Sequence, residues 1–300
     1  NKLTRPIVEK IAGVHRDADV PKYAPTSKTF VRQAENTPPA VNAEAPAHGR
    51  EAVFYATCFV NYNKPDTGVL AQRILAKNGV ATTALHPGCC GMPQLEQGQL
   101  DEVSAMAKSV AAAFRPHVDA GRDVIALTPS CALMLKFEWP LILPDDEHVK
   151  ALSGATWDIT EYIVDIAKKE GLAEGLLALP EPVALHLACH ARAQNMGQKA
   201  TEMLKLIPDA DLKVIERCSG HGGSWGIMKE NFETGIKVGR PVARQAKEHR
   251  YIVSECPLAA DHILQGIEKQ LDEGQNAPAR SYHPVELFAL AYGLAPALAS

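Results

Sequence analysis

Short apolar runs of four to six residues recur along the chain, at 52–57, 81–85, 124–128, 183–188, 212–215 and 251–254. Several carry β-branched residues, as strands buried on both faces of a parallel sheet do. Stretches of helical periodicity fall between them, at 68–77, 100–120, 160–169, 200–207 and 232–249. Pro241 should kink or break the last. Strands alternating with helices of this length predict βαβ units, and therefore an α/β fold with parallel sheets. Residues 1–50 have a different texture, with several prolines and an Ala/Pro/Asn-rich run at 38–49. They read as an arm and linker with at most one short helix, near 7–12. The expected division is 1–50 arm and linker, 51–155 first domain, 156–181 connecting helix, 182–270 second domain and 271–300 C-terminal helical tail.

The cysteines follow the strands. Cys58, Cys131, Cys189, Cys218 and Cys256 each come within three residues of the end of an apolar run, and Cys89 and Cys90 come just after the run ending at Leu85. Strand–Cys recurs three times in each half, in the same order, offset by about 125–131 residues. An internal duplication accounts for this. It predicts two halves related by a pseudo-two-fold axis, with the 160–169 helix bridging them.

Composition narrows the function. The chain is 46% hydrophobic and 22% charged, ordinary for a globular protein. A net charge of −4 gives no basic face for nucleic acid. No apolar run approaches the ~18 residues of a membrane span, and the chain opens without a secretory apolar segment. Seven cysteines are too few for a disulfide scaffold of this size. They predict a reduced, cytoplasmic protein whose thiols serve metal or redox chemistry.

In a parallel α/β sheet the strand C-termini line one edge, where ligands bind. Three strands ending in thiols bring several sulfurs there, and helix N-termini at the same edge favour thiolate. Such soft donors suit iron–sulfur clusters or zinc. The Gly220–Gly226 loop lacks the third glycine of a dinucleotide fingerprint, its place being held by Trp225. No nucleophile elbow is present, and Cys89 and Cys90 have no identifiable base, so no catalytic residue is expected.

Cys58-Phe-Val-Asn-Tyr-Asn, Cys89-Cys90-Gly91-Met-Pro and Pro129-Ser-Cys131 resemble the first cysteine-rich domain of the CCG family. Ala188-Cys189-His190, Cys218-Ser219-Gly220 and Glu255-Cys256-Pro257 resemble the second. Arg5-Pro6, Val14-His15-Arg16, Pro21-Lys22-Tyr23, Thr29-Phe30, Lys229-Glu230-Asn231 and His283-Pro284 extend the likeness over essentially the whole chain. The family includes the cysteine-rich subunits of heterodisulfide reductases and the iron–sulfur subunits of lactate, glycolate and anaerobic glycerol-3-phosphate oxidation. The resemblance implies two tandem, pseudo-symmetric CCG domains behind an N-terminal arm. It implies one iron–sulfur cluster per half, of [4Fe-4S] or non-cubane type, with zinc in one half as the alternative. The implied function is an electron-transfer subunit of an oxidoreductase complex. It would be fed by a flavin-dependent dehydrogenase and would deliver towards quinone or another acceptor, peripherally at the inner face of a membrane. A ferredoxin-like segment would precede the arm in a longer chain. The alternatives are a sulfur-substrate reductase and a zinc-bearing docking scaffold.

Against the family pattern, the first half keeps Cys58, Cys89, Cys90 and Cys131 but has Thr128 in a further cysteine position. The second keeps Cys189, Cys218 and Cys256, with Ser219 and Ala259 in the missing positions. His221, in a glycine-rich turn three residues after Cys218, is the natural fourth ligand there. His190 is expected to orient ligands from outside, and His186 to be a sheet histidine. Trp225 reads as a cover over the second centre or as core. Asn61, Tyr62 and Asn63 read as donors to cluster sulfur or as a turn.

Overall fold

The computed structural model describes residues 4–271 and 276–295. Its first elements are α1 (Arg5–Ala12), α2 (Phe30–Asn36), β1 (Glu51–Tyr55), α3 (Cys58–Tyr62), α4 (Pro65–Lys77), β2 (Ala81–Leu85), α5 (Met92–Glu96) and α6 (Leu100–Asp119). Next come β3 (Asp123–Ala126), α7 (Pro129–Leu133), α8 (Trp139–Ile142), α9 (Glu147–Ala155), β4 (Thr156–Asp158) and α10 (Ile159–Lys169). Then follow β5 (Val183–His186), α11 (Cys189–Ala193), α12 (Lys199–Leu204), β6 (Leu212–Ile215), α13 (Phe232–Ala246), β7 (Tyr251–Ser254), α14 (Pro257–Glu268), β8 (Ser281–Tyr282) and α15 (Pro284–Ala291).

The strands form two four-stranded parallel sheets, ordered β2-β1-β3-β4 and β6-β5-β7-β8. The fold is α/β as expected, and one topology is used twice. In each sheet the strand that opens the half is flanked by the next two, so three successive cysteine-bearing strand ends are neighbours.

Both faces of the inner strands β1 and β3 are covered, which is why they read as unbroken apolar runs. Val53, Tyr55, Val124 and Ala126 pack with Val110 and Phe114 of α6 and Leu152 of α9. Phe54 points the other way and meets Phe30 of α2 edge-on, with ring centroids 5.6 Å apart. In the second sheet Ala184 and Ile252 pack with Val242, Ala243 and Ala246 of α13 and with Ile263 and Ile267 of α14.

Three expectations need correction. The arm holds a second helix, α2, because burying Phe30 completely is worth about 1.5–3 kcal/mol to a segment of weak propensity. Asn61 assists by accepting the Val31 N–H at 3.0 Å. Pro241 neither breaks nor ends α13, which runs from Phe232 to Ala246 around it. The buried residues on either side, Gly239, Val242, Ala243 and Ala246, hold the helix through the proline. Finally, β4 and β8, of three and two residues, extend the sheets where no apolar run announces them.

Two compact units result, each assembled from separate stretches of chain. Among the described residues, 23–179, 190–210 and 284–295 form one and contain β1–β4; 4–22, 180–189, 211–271 and 276–283 form the other and contain β5–β8. In the first unit α15 packs on α4, and the Tyr292 hydroxyl donates to the Ala173 carbonyl at 2.9 Å. In the second unit the start of the arm is bonded into the fold: Lys229 N–H reaches the Gly13 carbonyl at 2.7 Å and His15 N–H the Ile227 carbonyl at 2.8 Å. The His15 ring stacks on Phe232 at 4.2 Å. Residues 1–3 of the arm and 272–275 and 296–300 of the expected tail lie outside the described residues.

Candidate metal centres

Each strand of the first sheet hands over to its ligand loop abruptly. β1 stops at Tyr55, and Thr57 caps α3 by accepting the Val60 N–H at 3.2 Å, which places Cys58 in the first turn. After β2 the chain turns at Gly91 (φ +80°), and Gly91 N–H donates to Cys89 Sγ at 3.4 Å. After β3, Cys131 sits in α7 with its N–H on the Thr128 carbonyl at 3.0 Å. Thr128 hydrogen-bonds to Thr57 through the two hydroxyls at 2.9 Å. That bond ties two ligand loops together.

All four thiols of this half are brought together. Cys58, Cys89 and Cys90 lie close enough to govern one another's ionisation, and Cys90 Sγ donates to Cys131 Sγ at 3.3 Å. Among the described residues no three His, Cys, Asp or Glu side chains close around a single ion. Electrostatics separates the sulfurs. Hydrogen bonds from Cys58 and Cys90 lower Cys89 to about 2, so negative charge settles there. Cys58 is raised, first by its bond to Cys89 and then by burial, and Cys90 is raised well above the usual thiol value by its bonds to Cys131 and Cys89. Ionising the remaining thiols in so small a space calls for a cation, and a soft one fits the donors.

Three residues that no sequence motif singled out shape this site. Tyr55 donates its hydroxyl to the Gly88 carbonyl at 2.8 Å, and burial, then the cysteine charges, keep it protonated. Trp139, fully buried, donates Nε1–H to the Cys90 carbonyl at 3.1 Å. His86 donates Nδ1–H to the Ala56 carbonyl at 2.5 Å and directs Nε2 to within 3.9 Å of Cys58 Sγ. Tyr55 at a strand end and His86 just before the CCG loop carried a positional signal; Trp139, far along the chain, carried none. Asn61 holds α2, as described, and Tyr62 lies edge-on to His86 at 5.2 Å.

The second half repeats the scheme with fewer sulfurs. Cys189 opens α11 after β5, Cys218 follows β6, and Cys256 caps α14 after β7. Gly220 (φ +78°) donates its N–H to Cys218 Sγ at 3.4 Å, matching Gly91 and Cys89 in both angle and distance. Cys189 and Cys218 are exposed and Cys256 is half-buried. Burial pushes Cys256 up to about 11, against the N–H groups of Ala259 and Leu258 and with a contribution from Cys189. Ser219 and Ala259 are both buried.

Polar side chains tie these loops as well. His186 Nε2–H donates to the Arg217 carbonyl at 2.9 Å, beside Cys218, while its Nδ1 accepts from the Ser254 hydroxyl at 2.9 Å. Ser254 Oγ in turn accepts the Cys256 N–H at 3.3 Å. The Glu255 carboxylate accepts the Ala188 N–H at 2.9 Å, beside Cys189. His221 is buried with its ring 5.9 Å from that of His262, and burial lowers it to about 4. His190 follows Cys189 in α11; burial lowers its pKa, and Glu96 and Glu138 oppose that. Trp225 is 44% exposed and so is not a core residue.

The model of the cysteine-rich CCG domain matches residues 52–136 and 183–258, which contain all seven cysteines. The chain belongs to the CCG family. Within it, the chain is 27% identical over 300 residues to a subunit of the anaerobic glycerol-3-phosphate dehydrogenase of Escherichia coli K12, covering 97% of this chain and 70% of that protein. It is 24% identical over 229 residues to a subunit of the fumarate reductase (CoM/CoB) of Methanothermobacter marburgensis, covering 74% of this chain and 43% of that one. Lactate utilization protein A of Bacillus pumilus is 25% identical over 182 residues, covering 58% and 73%. A solved hypothetical protein from Helicobacter pylori superposes with a TM-score of 0.52 at 11% identity, covering 88% of this chain and 53% of that one. That last likeness bears on the fold alone. Among the described residues no helix is long and apolar enough to cross a membrane.

Proposed function

We propose that this chain is an iron–sulfur electron-transfer subunit of an oxidoreductase complex. It takes electrons from a flavin-dependent dehydrogenase and passes them towards quinone or another acceptor. The observation that carries the reading is the gathering of Cys58, Cys89, Cys90 and Cys131 at the ends of three neighbouring strands, with Cys90 Sγ 3.3 Å from Cys131 Sγ. A set of free cysteines distributed over three loops suits several metal atoms better than one. The named relatives are subunits of dehydrogenase and reductase systems, which favours the same role.

The segments 51–155 and 182–270 each hold one centre in this reading. Cys58, Cys89, Cys90 and Cys131 hold the first; Cys189, Cys218 and Cys256 hold the second, with His221 as fourth ligand and His190 orienting from outside. Bound iron–sulfur clusters supply reversible one-electron transfer. The chain's own part is to present sulfur at fixed positions and to donate Gly91 and Gly220 N–H groups to Cys89 and Cys218. Such hydrogen bonds to sulfur tune potential. A histidine ligand in place of a thiolate removes a negative charge and raises the second potential, making that centre the electron sink.

Anaerobic reconstitution with iron and sulfide tests this. A broad visible band bleached by dithionite is the expected result, and a colourless protein with stoichiometric zinc would refute it. Substituting His221→Ala should lower the potential of the second centre; unchanged potential and metal content would leave His221 a turn residue. The exposure of Cys189 and Cys218 favours a second reading, reduction of a sulfur substrate at an open position of that centre. Turnover of a disulfide with reduced protein separates it from pure electron transfer.

A further inference from the structure

His86 was not among the expected ligands, yet its ring is set as a ligand's would be. A carbonyl oxygen only accepts, so the 2.5 Å contact to Ala56 places the ring hydrogen on Nδ1. Nε2 is then left with a lone pair, and it faces the Cys58 sulfur at 3.9 Å. Metal-binding histidines commonly fix their tautomer in this way, by donating the second ring N–H to a backbone carbonyl. Packing holds the ring in place: Tyr62 meets it edge-on at 5.2 Å and Tyr55 lies roughly parallel at 6.5 Å.

The separation of the two donors is informative. Bonds of ~2.3 Å to sulfur and ~2.0–2.1 Å to nitrogen at a tetrahedral atom put the two donors ~3.6 Å apart. The observed 3.9 Å needs only a modest opening of that angle.

We infer that His86 Nε2 binds the same metal atom as Cys58, so that the first centre has a mixed donor set of four thiolates and one imidazole. This rests on the iron–sulfur reading above. On binding, the Cys58 thiol gives up its proton to solvent.

The test uses the full chain carrying Cys189→Ala, Cys218→Ala and Cys256→Ala, so that only the first half keeps its cysteines and His221 cannot contribute a signal. The protein is made with ¹⁵N-labelled histidine, reconstituted anaerobically with iron and sulfide, and studied by pulsed electron paramagnetic resonance. A strong coupling to a histidine nitrogen is expected, with its loss in His86→Ala and in His86→Gln. The labelled protein with His86 intact gives a result even if those variants fold poorly. Iron bound without histidine coupling, or a coupling that survives His86→Ala, overturns the inference and leaves the iron–sulfur reading standing. Failure to bind iron at all overturns both.

Discussion

The indole N–H of Trp139 donates to the carbonyl oxygen of Cys90 at 3.1 Å, across a sequence separation of 49 residues. Trp139 is fully buried, so the bond holds the CCG loop from inside the core. Trp139→Phe preserves most of the packing but removes the donor, leaving a buried carbonyl unsatisfied at a cost of about 1–3 kcal/mol. Urea unfolding should show that loss, and iron should leave the first centre faster during gel filtration with a chelator. Unchanged stability together with unchanged iron retention would show that the bond does not support the loop.

Cys131 accepts the Cys90 thiol hydrogen at 3.3 Å. Cys131→Ser should disable the first centre alone. Bound iron then falls by roughly half, as two independent clusters require, and the remaining visible band belongs to the second half. Loss of all iron would mean that the centres assemble together.

Gly220 occupies the left-handed region at φ +78°, and a Cβ there would lie 2.0 Å from the Gly235 carbonyl oxygen. Gly220→Ala combines backbone strain with overlap, about 2–5 kcal/mol in all. Gly98, at φ +73° with nothing within 4 Å, supplies the comparison. Gly98→Ala should cost only the strain, about 1–2 kcal/mol. Thermal melting of the two variants checks the order, and equal losses would contradict the close approach.

Glu9 holds Arg16 through a 2.8 Å bond from Nε, and that hydrogen bond lowers the carboxyl from 4.5 to about 2. A carboxyl depressed in the folded state stabilises above its unfolded pKa, and the contribution disappears as pH falls through the folded value. The stability difference between the natural chain and Glu9→Gln should therefore be constant above pH 4.5 and shrink towards pH 2. Urea unfolding at a series of pH values measures it. A difference that does not change over this range would mean the pair contributes nothing.

The strand and cysteine pattern was legible because both follow from local composition. Runs such as 183–188 are apolar throughout because a parallel strand is buried on both faces. The thiols recur just beyond those runs because loops at the strand C-termini are where a sheet can present ligands. The sequence alone therefore determined the α/β class, the doubled architecture and the seven sulfur positions.

What the tertiary structure decided involves residues distant in sequence. Phe30 makes a helix of its arm segment only through its place against Phe54, and Pro241 stays inside α13 because the buried residues around it outweigh one lost hydrogen bond. β4 and β8 are too short to leave a periodic signal, and they exist as added edges of sheets already formed. Trp139 at Cys90, Glu255 at Ala188 and His86 at Cys58 meet across 49, 67 and 28 residues. No local pattern encodes such pairs, because each depends on two chain segments being fixed by packing before their polar groups can meet.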